Sequence, residues 1–145
     1  MPGVIVGIDG SAHSARALEW AVTQAALQRA AVTVITVNTV PASPWSGHPV
    51  VLAQDPAVLD RMRQAAEEMT VKVTSQLGEA RPASVTVRAI NGFPSKELID
   101  ASRDADLLVV GSRGAGGFAR LMVGSTSEQV VHHAHCPVVV VRSEG

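Results

Sequence analysis

The sequence predicts an α/β domain, an open sandwich in which a parallel sheet is covered by helices. Three observations lead there. Apolar residues make up 46% of the 145 residues and aromatics only 3%. A core must therefore be built from Val, Ile, Leu, Ala and Met, a composition that suits a buried parallel sheet. Five short β-branched runs alternate with four stretches of helical periodicity, and such alternation implies parallel pairing through right-handed crossovers. The length is that of one domain, expected over 1–145, at which roughly two thirds of the unfolded surface can be buried in a single core. No internal repeat or low-complexity tract interrupts the pattern.

The first strand is expected over Gly3–Ile8, where the run is short, β-branched and nearly unbroken in hydrophobicity, as in a strand covered on both faces. Ser11 or Ser14 then caps a helix to about Arg29, with Ala17, Leu18, Ala21, Val22, Ala25 and Leu27 recurring near helical spacing. AVTVITVNTV (31–40) supplies the second strand, and the proline-rich segment from Pro41 to Pro56 forbids regular structure. Asp55 and Pro56 form an N-cap and first-turn pair, followed by an apolar face of Val58, Leu59, Met62, Ala66, Met69, Val73 and Leu77 down to Gly78. That is a helix of about six turns. SVTVRAI (84–90) is the third strand and NGF a turn, and Pro94 opens a short helix with Leu98, Ile99 and Ala101 facing inward. ADLLVVG (105–111) is the fourth strand, STSEQVVHHA (125–134) the last helix and CPVVVVR (136–142) the fifth strand, beginning at a proline, where a missing N–H does least harm.

Twelve basic and thirteen acidic residues are mixed along the chain for a net charge of −1. That balance gives no long-range field to steer the protein to DNA or an anionic membrane, so a nucleic-acid partner is disfavoured. Cys136, the only cysteine, cannot form an internal disulfide, and MPGVIVGIDG has no basic region followed by a long apolar segment. No apolar run approaches the roughly 18 residues that span a bilayer. A soluble, cytoplasmic protein without a membrane partner is expected.

In open α/β sheets ligands sit beyond the carboxyl ends of the strands where strand order reverses. The places to look are IDGS after the first strand and GSRGAGGFARLMVGST (111–126) after the fourth. The latter is no GxxxxGK[ST] loop, since the only lysines are Lys72 and Lys96. A dinucleotide GxGxxG belongs in the first strand-to-helix turn, which here reads GIDGSAHS. What remains is Gly111, two residues, Gly114, nine residues, then Gly124 and Ser125. Gly111 lets the chain turn, Gly114, Gly116 and Gly117 keep side chains out of a ligand's way, and Gly124 brings a helix start within reach of an anion. Unpaired N–H groups and the positive end of the helix dipole sit there, and Ser125, Thr126 and Ser127 add hydroxyl donors. The same STSE reads equally as a capping box with Ser125 as N-cap and Glu128 reaching back. One cap leaves other N–H groups available.

The spacing of Gly111, Gly114, Gly124 and Ser125 resembles the ATP-binding signature of the universal stress protein family, and VIVGIDGS and CPVVVVR resemble that family's first and last strands. The resemblance covers essentially the whole chain. It implies a doubly wound, Rossmann-like fold whose five parallel strands run in the order 3-2-1-4-5 with helices on both faces. It also implies an adenine nucleotide across the carboxyl ends: ATP, or alternatively AMP or cyclic AMP, with Mg²⁺ accompanying ATP. The family's ribose- or adenine-binding aspartate falls on Asp9 after Gly7 and Ile8, and its adenine-packing residue falls on Val37. Val110 and Gly111 end the fourth strand beside it, and Gly114 and Gly124 with Ser125 and Thr126 would hold the phosphates; Ser127 and Arg113 are further nucleotide-binding candidates in the same stretch. The last strand, Pro137 to Arg142, becomes an edge at which a homodimer is expected.

Each assignment has a plainer counterpart. Asp9 in DGS suits an Asx-turn or a helix cap, and Arg113 and Arg120 suit solvated loop positions. His132, His133 and His135 invite a metal, yet adjacent helix residues point about 100° apart and Cys136 alone accompanies them at ligand spacing; no metal is expected. Neither a G-x-S-x-G elbow nor a base for water beside the glycines is present. A nucleotide-dependent regulator with slow or no hydrolysis is expected ahead of an adenine nucleotide α-hydrolase-type enzyme or a dimeric scaffold without nucleotide.

Overall fold

A computed structural model describes residues 3–39, 55–112 and 125–142. The elements run β1 (Val4–Ile8), α1 (Ala12–Gln28), β2 (Ala31–Thr39), α2 (Pro56–Thr74), β3 (Ser84–Gly92), α3 (Pro94–Ala101), β4 (Leu107–Gly111), α4 (Ser125–His133) and β5 (Val138–Val141), with a 3-10 turn at Ser102–Asp104. All neighbouring strands pair in parallel, in the order β3-β2-β1-β4-β5. This is the doubly wound order expected above. β2 and β3 extend the sheet on one side of β1, and β4 and β5 on the other, so strand order reverses between β1 and β4.

The near-continuous apolar strands are explained by what covers them. Successive strand residues point to opposite faces, and each face has its own hydrophobic cluster. Val4, Val6, Ile8, Val32, Val34 and Val109 pack against Ala17, Leu18, Ala21, Val22 and Ala25 of α1 and Ala66 and Val73 of α2. Ile35, Leu108 and Val110 pack on the other face against Leu98 of α3 and Val130 of α4. A strand that feeds both clusters has no polar side to show.

The helix starts follow their capping chemistry. Ser11, in extended conformation, is the N-cap of α1 and accepts from the Ser14 N–H, while Asp55 caps α2 by accepting from the Ala57 N–H, with Pro56 at the first helical position. Ser11 is thus the capping serine of the two candidates. Several boundaries and one orientation differ from expectation; β4, for example, begins at Leu107 and not at Ala105. β3 continues through Asn91 and Gly92, which pair with Asn38 and Thr39 of β2 where the sequence reads as a turn. α2 ends at Thr74 and gives way to a turn before Gly78. β5 begins only at Val138. Leu27 is 71% exposed, and Ala26 occupies the inward position instead. Taking 100° per residue, Leu27 lies about 160° from the centre of the buried arc of α1, so its apolar side chain is no guide to burial.

Candidate functional site

The carboxyl ends of β1 and β4 lie side by side, with Val4, Ile5 and Val6 in register with Leu107, Leu108 and Val109. Continuing that register brings Ile8 level with Gly111, so the chain leaves the sheet at Asp9 and at Ser112 beside one another. α1 departs from the first exit and packs on one face; α4 follows the second and contributes Val130 to the other. Between the two lies the switch-point crevice at which doubly wound sheets bind ligands.

On the β1 side the turn is tightly held. The Ser11 N–H donates to Asp9 Oδ1 at 2.9 Å, closing an Asx-turn across Gly10, whose φ of 84° only glycine adopts readily. Ser14, 4% exposed, accepts from the Asp9 N–H at 3.3 Å and donates to the Ser11 carbonyl at 2.9 Å. Asp9 itself is exposed, so its carboxylate stands fixed at the mouth of the crevice. On the β4 side Gly111 pairs with Val141, and the Ser112 N–H donates to the Val141 carbonyl at 2.9 Å. Ser127, buried, donates its hydroxyl hydrogen to the Gly111 carbonyl and ties the first turn of α4 to the end of β4. Ser125 is exposed and Thr126 half-buried on that same first turn. Backbone N–H groups at a helix start lack intrahelical acceptors and carry the positive end of the dipole.

The residues singled out from sequence separate into groups. Asp9, Gly111, Ser125, Thr126 and Ser127 come together around the crevice. Ile8 and Val110 are 6% and 3% exposed core residues, so what they present to a ligand is backbone. Val37 is half-buried against the cluster of Ile35 and Leu98. Gly7 meets α3: a Cβ built on it would lie 2.6 Å from Leu98 Cδ1, so its lack of a side chain serves packing at the least. Ser125 is the first helical residue of α4, and the position before it, Gly124, lies outside the described residues, as do Arg113, Gly114 and Arg120. Sequence reasoning missed Ser14 as anything but a second capping candidate. The only available signal was its place three residues after a capping serine.

Other constellations are surface features. The rings of His132 and His133 stand 6.3 Å apart and tilted, and among the described residues no group of three or more His, Cys, Asp or Glu is placed to hold a metal ion. Burial, with the Asp106 charge adding to it, pushes the Cys136 thiol up. Among the described residues no helix is long and apolar enough to cross a membrane.

A family model described as the universal stress protein family matches residues 2–142. The chain belongs to the universal stress protein family. A universal stress protein of Mycolicibacterium smegmatis is 34% identical over 142 residues, which are 98% of this chain and 48% of that protein. The chain thus spans about half the length of the curated relatives it matches. Among solved structures, the universal stress protein UspA from Lactobacillus plantarum matches with a TM-score of 0.76 and 26% identity over 97% of both chains. A universal stress protein in complex with cAMP matches with a TM-score of 0.69, at 24% identity over 99% of this chain and 98% of that one. One from Archaeoglobus fulgidus in complex with dAMP gives 0.60, at 21% identity over 97% and 98%. At these identities the last two establish a shared fold.

Proposed function

We propose that this universal stress protein domain binds an adenine nucleotide, ATP foremost, across the carboxyl ends of β1 and β4, and acts as a nucleotide-dependent regulator in the stress response with slow or no hydrolysis. The observation that carries it is the switch-point crevice itself, with the fixed Asp9 carboxylate on one wall and the α4 start, joined to β4 through Ser127 and Gly111, on the other. A ribose or base against Asp9 and Val37 leaves the phosphates on the α4 side. There Gly114, Gly124, Ser125 and Thr126 offer backbone N–H groups and hydroxyls in place of lysine. Family members of the same fold in complex with cAMP and dAMP support the adenine base; AMP and cyclic AMP are therefore the competing ligands, and Mg²⁺ would accompany ATP.

Slow turnover follows from the chemistry on hand. Hydrolysis needs a group that orients water and an acid that helps hold Mg²⁺, and the glycine stretch offers no base for water and no acid beyond Asp9. The chain is proposed as one domain over 1–145, working in the cytoplasm. β5 ends the sheet, its four valines are half-buried, and an apolar edge of this kind pairs readily with another chain. A homodimer through Pro137 to Arg142 is part of the proposal.

Mass spectrometry of the denatured protein for co-purified nucleotide, followed by calorimetry with ATP, AMP and cyclic AMP, tests the site. Binding that falls at least about tenfold in Gly124→Ala is expected, since added bulk at the helix start blocks close approach of a phosphate. No nucleotide in either experiment, with Gly124→Ala indistinguishable from wild type, refutes the site. Hydrolysis on the order of 1 per second or faster would move the protein to the enzyme class.

A further inference from the structure

The two helices that border the crevice share a device absent from the other two. The third residue of α1 is Ser14 and the third residue of α4 is Ser127. Both are 4% exposed, and each hydroxyl is hydrogen-bonded to the backbone at the exit of the strand that precedes its helix. Ser14 accepts from the Asp9 N–H at 3.3 Å while donating to the Ser11 carbonyl at 2.9 Å, and Ser127 donates to the Gly111 carbonyl. In α2 and α3, which do not flank the switch point, the third residues are Val58 and Lys96. A buried hydroxyl persists only where it is hydrogen-bonded, so both positions carry a requirement that a small apolar residue would otherwise meet.

We infer that Ser14 and Ser127 are positioning residues that fix the two walls of the crevice, Ser14 the wall at Asp9 and Ser127 the wall at α4. The inference rests on the nucleotide site proposed above. Neither hydroxyl needs to touch the ligand. Ser14 holds the backbone of Asp9 beside the flexible Gly10, so that the carboxylate meets the nucleoside already oriented. Ser127 holds the α4 start against β4, so that its N–H groups face the phosphates. A wall that samples other positions lowers apparent affinity by the fraction of time it is misplaced. Loss of one hydroxyl anchor is therefore expected to cost about three- to tenfold in binding.

The two walls hold different halves of the ligand, which gives a test that loss of stability alone cannot imitate. ATP and adenosine are titrated by calorimetry into wild type, Ser14→Ala and Ser127→Ala, and Ser14→Thr and Ser127→Thr keep the hydroxyl as conservative controls. Ser127→Ala is expected to weaken ATP about three- to tenfold and leave adenosine unchanged. Ser14→Ala is expected to weaken both ligands equally, and in ligand-free protein to speed amide hydrogen exchange at Asp9. Each threonine variant restores its own pattern. Equal weakening of both ligands by Ser127→Ala, or variants that bind as wild type does, overturns the inference while leaving the nucleotide site standing. A wild type that binds neither ligand overturns the site and this inference with it.

Discussion

Replacing Gly7 by alanine puts a methyl group where β1 meets α3. The built Cβ lies 2.6 Å from Leu98 Cδ1, 3.0 Å from Cδ2 and 3.4 Å from Cγ. Leu98 cannot simply swing away, because it is 4% exposed and clustered with Ile35, Leu108, Val110 and Val130. Overpacking of this kind costs about 1 to 3 kcal/mol, and the lower entropy of the unfolded alanine chain returns about 0.4 to 1 kcal/mol. The net loss is up to about 2.6 kcal/mol and about 1.3 kcal/mol at the middle of both ranges, or a fall of up to about 10 °C in Tm for a domain of this size. Leu98→Ala alone costs about 2 to 5 kcal/mol through the cavity it leaves. In that background the Gly7 methyl has somewhere to go, so Gly7→Ala becomes neutral or stabilising, with a coupling of at least about 1 kcal/mol between the two sites. Urea unfolding of the four proteins, followed by circular dichroism, measures the cycle. Additive losses would refute the contact, and Gly7 would then be judged by ligand binding alone. A double variant as stable as Leu98→Ala alone that binds nucleotide more weakly than Leu98→Ala does would give Gly7 a ligand role beside its packing role.

Two further outcomes follow from local geometry. Arg29 ends α1 at φ 54°, ψ 38°, with its N–H on the Ala25 and Ala26 carbonyls; glycine adopts this left-handed conformation without the side-chain penalty, so Arg29→Gly is expected to raise stability by up to about 1 kcal/mol, and a lower urea midpoint would contradict it. Cys136 has its thiol raised chiefly by burial and then by the Asp106 charge. Its alkylation by iodoacetamide should rise with pH only above the range of a free thiol, and Asp106→Asn should move that rise to lower pH. The neutral thiol's contribution to stability is full below the unfolded pKa of about 8.5 and is lost as pH rises through the higher folded value.

The strands were the most legible part of the chain because parallel strands covered on both faces read as near-continuous apolar runs, as Val4, Ile5, Val6 and Ile35 do. Legibility ended where a neighbour decides the outcome. Asn91 and Gly92 carry the composition of a turn, yet β2 is long enough to offer Asn38 and Thr39 as partners, and the Asn38 amide donates to Asn91 Oδ1 at 2.9 Å. Pairing across the sheet overrides a local preference worth about 1 kcal/mol. Leu27 failed for the converse reason. Its hydrophobicity suggested burial, but helix phase had already assigned the inward position to Ala26.

The site shows a different limit. Chemistry-bearing residues were visible as types, and the question left open at Asp9 was whether a turn or a ligand explains it. The structure has the Asx-turn, with the Ser11 N–H on Asp9 Oδ1 at 2.9 Å and the Asp9 N–H on Ser14 at 3.3 Å. The Ser11 N–H occupies one of about four acceptor positions that a carboxylate carries on its two oxygens. The turn removes the rotamer freedom that a flexible aspartate would lose on meeting a ribose, a loss of about 0.5 to 1.5 kcal/mol per side chain. In the proposed site, a turn aspartate at the end of β1 would therefore meet its ligand with less freedom to lose. Under the proposed nucleotide site, the two roles that sequence alone sets against each other coexist at one residue.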